Sequence, residues 1–90
     1  MLEKTIELKL RKAVEKQAGR CLKFTCPGFD GVPDRMVLLP NGKIGFVEVK
    51  QKGMKLRRLQ KRRAKQLREL GFVALVLDDP NDIGGVIQCL

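Results

Sequence analysis

The chain has 90 residues, 43% of them hydrophobic, and its 19 lysines and arginines outnumber 10 aspartates and glutamates, for a formal net charge of +9. This length suits one small domain over residues 1–90, and the positive charge predicts an anionic partner, with nucleic acid favoured over a membrane surface. The absence of histidine and tyrosine excludes HNH-type nucleases, histidine-dependent ribonucleases, Cys₂His₂ zinc modules, GIY-YIG enzymes and tyrosine recombinases.

The three cysteines, Cys21, Cys26 and Cys89, are odd in number and lack Cys-x-x-Cys spacing. They therefore indicate neither a disulfide framework nor a structural zinc site, and a reducing cytoplasmic environment is expected. The first residues lack the apolar core of a signal peptide, and no run approaches the ~20 apolar residues of a membrane span. We expect no membrane partner and no small-molecule cofactor.

The first third of the chain predicts a helix, a strand and a loop. Apolar residues at three-and-four spacing predict a helix over 2–18, ended by Gly19. A short strand over 20–25 and a glycine- and proline-containing loop over 26–31 follow. Within that loop, we expect Phe29 to pack in the core; the alternative is an exposed ring that stacks on a nucleic-acid base.

The middle of the chain predicts a β-hairpin. Two apolar runs, 36–39 and 44–49, flank a turn over 40–43. Within the turn, Asn41-Gly42 supplies the positive φ angles that a tight hairpin connection needs. The two strands should therefore pair in antiparallel fashion, with Asp34 brought near the 48–50 end of the second strand.

The longest helical pattern covers residues 55–70, and Gly71 is expected to end it. One face is basic with few acidic partners, which favours phosphate-backbone contacts over an ordinary solvated surface. The expected apolar stripe comprises Leu56, Leu59, Arg63, Leu67 and Leu70, with Gln60 and Ala64 beside it.

The last third predicts one more strand and a closing helix. The continuous apolar run 72–77 is typical of a central or fully covered strand. Residues 78–81 predict a turn, although their paired aspartates leave a second metal site as the alternative. Residues 82–90 predict a short helix. The predicted order is αβββαβ, an α/β fold with a mixed sheet flanked by helices.

The hairpin carries charged residues in unusual places. Alternation along a strand puts Glu48 and Lys50 on one face, and the hairpin brings Asp34 to them. Two adjacent carboxylates repel each other, and a divalent cation such as Mg²⁺ relieves that repulsion. The alternative is an ordinary surface ion pair of Glu48 with Lys50 or Arg35, with Asp34 as a turn residue.

The motifs resemble a known nuclease family. Pro33-Asp34 followed after a hairpin by Glu48-Val49-Lys50 resembles the PD-(D/E)xK signature, and the resemblance is to its VRR-NUC branch. Four elements carry this resemblance, in the family's order and across nearly the whole chain: Glu3 with Ile6 on the opening helix, residues 31–35, residues 48–50, and Gln60. The resemblance implies a restriction-endonuclease-like core and Mg²⁺- or Mn²⁺-dependent hydrolysis of phosphodiester bonds.

The resemblance also implies roles for individual residues. Asp34 and Glu48 match the metal-binding acids, with the Val49 carbonyl as a further ligand, and Lys50 matches the signature lysine. Glu3 matches the acid on the helix, although Glu7, one turn later, is a rival. Gln60 matches a glutamine beside the site, and a purely structural role for it remains open.

The expected substrate is DNA in a bacterial or phage-infected cell. Stand-alone proteins of this kind resemble dimeric junction-resolving enzymes, so the resemblance implies a homodimer acting on branched or four-way-junction DNA. A non-catalytic nucleic-acid-binding module and a partner of an acidic protein are the alternatives. The expected backbone contacts are Lys52, Lys55, Arg57, Arg58, Lys61, Arg62 and Lys65.

Overall fold

The computed structural model describes residues 2–90 as three helices around one sheet. The sheet has four strands in the order β1-β2-β3-β4, so the predicted αβββαβ order with a terminal helix is confirmed. None of the helices within 2–90 has the length and apolarity to span a membrane. The elements are α1 (Glu3–Lys16), β1 (Arg20–Lys23), β2 (Arg35–Leu39), β3 (Lys43–Val49), α2 (Arg58–Glu69), β4 (Val73–Leu77) and α3 (Ile83–Gln88).

The sheet is mixed, as expected. β1, β2 and β3 form an antiparallel meander, and β4 pairs with β3 in parallel after the α2 crossover. The expectation that β4 is central or fully covered is wrong, because β4 is an edge strand and Val76 is 43% exposed. Its apolar composition reflects contacts on both faces: Ala74 packs on the α2 side and Leu77 joins the opposite core.

Two hydrophobic clusters hold the helices on opposite faces of the sheet. Ile6, Leu10 and Val14 of α1 are fully buried, and they pack with α3 against Val47 and other side chains on one face of the sheet. The other cluster lies beneath α2. It contains Phe46, Ala64 and Ala74, with Phe24, Met36, Ile44 and Leu67 packed around them.

The turn after α1 differs from the prediction in which residue reverses the chain. Gly19 is the residue expected to end the helix, but the left-handed conformation lies at Ala18, with φ of 65°. Gly19 instead lies so close to the Leu38 carbonyl that a Cβ atom would clash with the β2 backbone. This glycine is therefore explained by close approach of two backbones rather than by a positive φ angle.

The hairpin turn agrees with the prediction. Asn41 and Gly42 have φ angles of 69° and 73°, and a single 3₁₀ turn over Pro40–Gly42 joins β2 to β3. The resulting register pairs Met36 with Phe46 and Leu38 with Ile44. These four side chains lie on the α2 face of the sheet, as strand alternation predicts.

α2 begins later than expected and buries a different face. The helix starts at Arg58, so Lys55 and Leu56 belong to the preceding loop. Leu59 and Leu70 are exposed, whereas Gln60 and Ala64, expected beside the stripe, are buried. The predicted stripe is therefore wrong at these leucines, although Leu67 packs in the cluster beneath α2. Gln60 tolerates burial because both ends of its amide have hydrogen-bond partners.

Candidate active site

The β2–β3 pairing brings Asp34 and Glu48 together. Arg35 pairs with Val47, so Asp34 lies opposite Glu48 at the end of the hairpin. The two acids are tied through the backbone: the Asp34 amide donates to Glu48 Oε1 at 3.2 Å, and the Val49 amide donates to Asp34 Oδ1 at 3.1 Å. The hairpin register therefore orients both carboxylates at once.

A third carboxylate comes from the first turn of α1. One oxygen each of Glu3, Asp34 and Glu48 lie within 4.8 Å of one another. Glu48 is buried, Asp34 is half-buried and Glu3 is exposed, so the cluster opens toward solvent on the Glu3 side. The structure thus places Glu3, rather than its rival Glu7, beside the two strand acids.

Glu7 has a different partner. Its carboxylate forms an ion pair with Arg35, which directly follows Asp34 on β2. Sequence reasoning missed this pair and considered Arg35 only as a partner for Glu48. Because Glu7 lies one turn after Glu3 and Arg35 one residue after Asp34, the pair ties α1 to β2 close to the acid cluster. The sequence offered one signal for this pair: Glu7 and Arg35 carry opposite charges, and each lies close in sequence to a candidate metal-binding acid.

Lys50 and Gln60 complete the surroundings of Glu48. Lys50 Nζ lies 3.8 Å from Glu48 Oε2, and its backbone amide donates to the Leu77 carbonyl at 2.9 Å. Gln60 Nε2 donates to the same Glu48 oxygen at 3.4 Å. Gln60 Oε1 also accepts from the Arg57 amide at 2.9 Å, which stabilises the start of α2. Gln60 therefore has a capping role whatever its part in the chemistry.

Burial and mutual repulsion raise the pKa values of Asp34 and Glu48. Desolvation, followed by the nearby Asp34 charge, raises the pKa of Glu48 from 4.5 to about 7, and Lys50 opposes this only partly. Desolvation likewise raises the pKa of Asp34, and the Glu3 charge adds to it against the Val49 hydrogen bond. Such shifts are common where carboxylates are placed for catalysis or metal binding.

The donor set fits a hard divalent cation. Three carboxylates converge, one of them buried with an elevated pKa, and Mg²⁺ and Mn²⁺ favour oxygen ligands of this kind. A dication would offset the repulsion that raises those pKa values. Val49 contributes its amide to Asp34; the ligand role expected for its carbonyl stays a prediction.

These pKa shifts predict a pH-dependent stability in the absence of metal. The folded state binds the Glu48 proton more tightly than the unfolded chain, so the free energy of unfolding should fall as pH rises from about 4.5 to about 7. The loss of unfolding free energy from Glu48 is on the order of 3 kcal/mol. Urea unfolding in EDTA across this range measures it. Glu48→Gln should flatten the profile, and equal slopes in both proteins would contradict the pKa assignment.

The expected DNA-contacting residues fall into two groups. Exposed cations along α2 and the loop before it form the basic surface: Lys55, Arg57, Arg58, Lys61, Arg62 and Lys65. Lys52 differs, because its ammonium lies 3.3 Å from Asp79 Oδ2. Two further α2 arginines are also engaged, since Arg63 donates to the Asp30 carbonyl and Arg68 to the Ala74 carbonyl.

The aspartates at 78–79 form a turn, as expected. Asp79 Oδ1 accepts from the Asn81 amide at 2.9 Å at the start of the 3₁₀ turn Pro80–Asp82. Within residues 2–90, the acid group able to hold a metal ion is Glu3, Asp34 and Glu48, and the turn aspartates lie outside it. The geometry thus favours turn chemistry over a second metal site.

A mixed sheet with helices on both faces and acids at the end of a central hairpin is the core of the PD-(D/E)xK nuclease class. Known proteins support this. "Putative nuclease p44" of Acyrthosiphon pisum secondary endosymbiont phage 1 is 45% identical over 88 residues, covering 98% of this chain and 94% of the relative. A solved structure described as a VRR_NUC domain matches with a TM-score of 0.89 and 29% identity, covering 96% and 94% of the two chains.

The search against family models found no match. The phage relative and the solved domain nevertheless cover almost the whole chain at high similarity. The chain therefore belongs to the VRR-NUC nuclease family, as the sequence motifs predicted. The acids that carried that resemblance are the ones that the fold brings together.

Proposed function

We propose that the protein is a Mg²⁺- or Mn²⁺-dependent endonuclease that hydrolyses phosphodiester bonds in DNA. The observation that carries this proposal is the convergence of Glu3, Asp34 and Glu48, with the ammonium of Lys50 next to Glu48. A carboxylate cluster beside a lysine suits attack of water on a phosphodiester, which requires charge stabilisation at the phosphate. Membership of a nuclease family supports the reaction class.

Each residue has a task in this scheme. Asp34 and Glu48 would hold the cation, and Glu3 would complete the site from α1. A bound cation supplies Lewis-acid polarisation of the phosphate and lowers the pKa of a water molecule. Lys50 stabilises negative charge at the phosphate or orients the attacking water. Gln60 holds one oxygen of Glu48, which leaves the other facing the Asp34 amide.

The basic surface supports a nucleic-acid substrate. Arg58, Lys61, Arg62 and Lys65 are exposed along α2, the helix that also supplies Gln60 to the site. Phosphate contacts of this kind position a strand without reading its sequence, so recognition rests on DNA structure. By resemblance, we further propose a homodimer that acts on branched DNA such as a four-way junction in the cytoplasm of a bacterial or phage-infected cell.

The second candidate is a non-catalytic nucleic-acid-binding module on the same fold. The basic surface alone supports it, because phosphate contacts require no acids. The intact acid cluster favours the endonuclease over the non-catalytic module. A buried carboxylate with an elevated pKa, such as Glu48, reduces stability, and a catalytic role accounts for its presence. Calorimetric titration with Mn²⁺ separates the two: the enzyme binds the ion through the cluster, and the module does not.

The direct test is cleavage of matched linear, single-stranded, flap and four-way-junction DNAs in Mg²⁺ and in Mn²⁺. Paired symmetric cuts in the junction that need the metal are the expected result. Protein with Glu48→Ala serves as the control for contaminating nucleases. Binding of these DNAs with no cutting in either metal would contradict the enzyme and support the module.

A further inference from the structure

The loop between β1 and β2 displays an aromatic ring next to the candidate active site. Gly28 and Gly31 have φ angles of 81° and 89°, which fold the loop back toward α2. Gly31 packs on Leu59, where a Cβ atom would lie 2.7 Å from Leu59 Cγ. Phe29 is left 39% exposed, so the expectation that it packs in the core is wrong.

Arg63 of α2 holds this ring in place. Its guanidinium carbon lies 3.9 Å from the centroid of the Phe29 ring, and its Nε donates to the Asp30 carbonyl at 2.7 Å. A further hydrogen bond from Nη1 to Gln66 fixes the guanidinium itself. Arg63 thus contacts the exposed ring directly and also holds the backbone of the next residue, and such ordering is what a preformed stacking surface requires.

A cavity of about 330 Å³ lies beside the ring. Phe24, Phe29, Pro27 and Val32 give it apolar walls, and Thr25, Cys26 and Asp30 add polar edges. The lining, taken over residues 2–90, includes neither Arg63 nor any other cation. The Arg63 guanidinium covers one face of the Phe29 ring, and an aromatic wall with polar edges and no cation among its lining residues suits a nucleobase better than a phosphate group.

The cavity adjoins both the acid cluster and the basic helix. Phe24, in its wall, donates its amide to the Asp34 carbonyl at 2.8 Å. Gly31, also in its wall, contacts Leu59, the neighbour of Gln60. The cavity is therefore joined to Asp34 through Phe24 and to α2 through Leu59, so a strand bound along the exposed α2 cations would pass next to it.

We propose that this cavity binds an unpaired nucleobase of the DNA strand, with Phe29 as the stacking surface. In a continuous duplex the bases are paired and stacked, so only a strand with an unpaired base can use the cavity. The inference deepens the proposed function, because it gives a physical origin to selectivity for branched or frayed DNA. Base binding itself does not depend on cleavage.

The test compares Phe29→Ala and Phe29→Leu with wild-type protein in EDTA, where binding is measured without cutting. We expect the affinity for a single-stranded or flap oligonucleotide to fall about tenfold, with little change for linear duplex. The control is Leu70→Ala, because Leu70 is a large apolar residue at the end of α2 that is 74% exposed. A 2-aminopurine placed at the unpaired base of the oligonucleotide reports stacking directly, because its fluorescence changes when the base stacks on an aromatic ring.

Three results would overturn the proposal. Equal losses for duplex and single strand would show a general effect on the basic surface. If the 2-aminopurine fluorescence were the same with folded Phe29→Leu protein as with wild-type protein, no base would stack on the Phe29 ring. A shift in sedimentation toward smaller species on Phe29 substitution, with DNA binding intact, would show that a second copy of the chain covers the cavity. Phe29-dependent binding by a protein that never cuts would support the cavity and contradict the nuclease.

Discussion

Substitution of Glu48 by glutamine is expected to slow DNA cleavage by roughly a thousandfold, while DNA binding is retained or improved. Glutamine keeps the shape of the side chain and its acceptor oxygen for the Asp34 amide, and it loses the oxygen that accepts from Gln60, so circular dichroism and thermal unfolding check that the variant is folded. It removes the negative charge that the cation needs and the repulsion that the buried carboxylate exerts on a phosphate. Single-turnover cleavage at saturating protein measures the loss, and calorimetry measures the accompanying fall in Mn²⁺ affinity.

Three comparisons sharpen this result. Asp34→Asn should behave like Glu48→Gln, because both acids contribute to one cluster. Lys50→Ala should lose activity with metal affinity largely kept, since its ammonium supplies charge rather than a ligand. Glu15→Gln, at an exposed position on α1, is the matched control and should cut normally. Normal cutting by Glu48→Gln would contradict the site.

Reversal of Arg58 and Arg62 to glutamate is expected to weaken DNA binding by about 10- to 100-fold for every sequence tested. These exposed residues are one helical turn apart on α2, so both can face the same backbone. Each phosphate contact that is lost should reduce the slope of log affinity against log salt by about 0.9. Fluorescence anisotropy across a salt series, with the Glu48→Gln protein to prevent cutting, measures both quantities.

The matched control reverses Lys12 and Lys16, two exposed cations one turn apart on α1. It changes the net charge by the same amount, so a much smaller loss of affinity would locate the effect on α2. Equal losses for the two pairs would contradict a defined DNA-binding surface and indicate a response to net charge alone. A loss confined to one DNA sequence would contradict backbone contacts.

The hairpin was predictable because local rules specify it. Asn41-Gly42 takes positive φ angles at little cost, and alternation then decides which side chains share a face. Once the turn is placed, the register follows and Asp34 must lie opposite Glu48. The sequence therefore predicts the Asp34–Glu48 part of the candidate site and the order of the elements.

Other features depended on contacts between distant segments. The choice between Glu3 and Glu7 follows from how α1 crosses the sheet and from the Arg35 ion pair, 28 residues away from Glu7 in sequence. Phe29 had an apolar side chain that favoured burial, yet Arg63 holds it at the surface. The apolar composition of β4 suited a central strand, but the α2 crossover leaves it at the sheet edge.

The αβββαβ order, the paired acids of the hairpin and the basic character of α2 follow from the sequence, because turn chemistry, periodicity and charge act over short stretches of chain; the family follows from the resemblance of its motifs. Packing between distant segments, in contrast, brings Glu3 into the acid cluster, buries Gln60 against Glu48 and leaves Phe29 beside an open cavity. Those outcomes depend on side chains far apart in sequence competing for the same space and hydrogen-bond partners, and local patterns do not encode that competition.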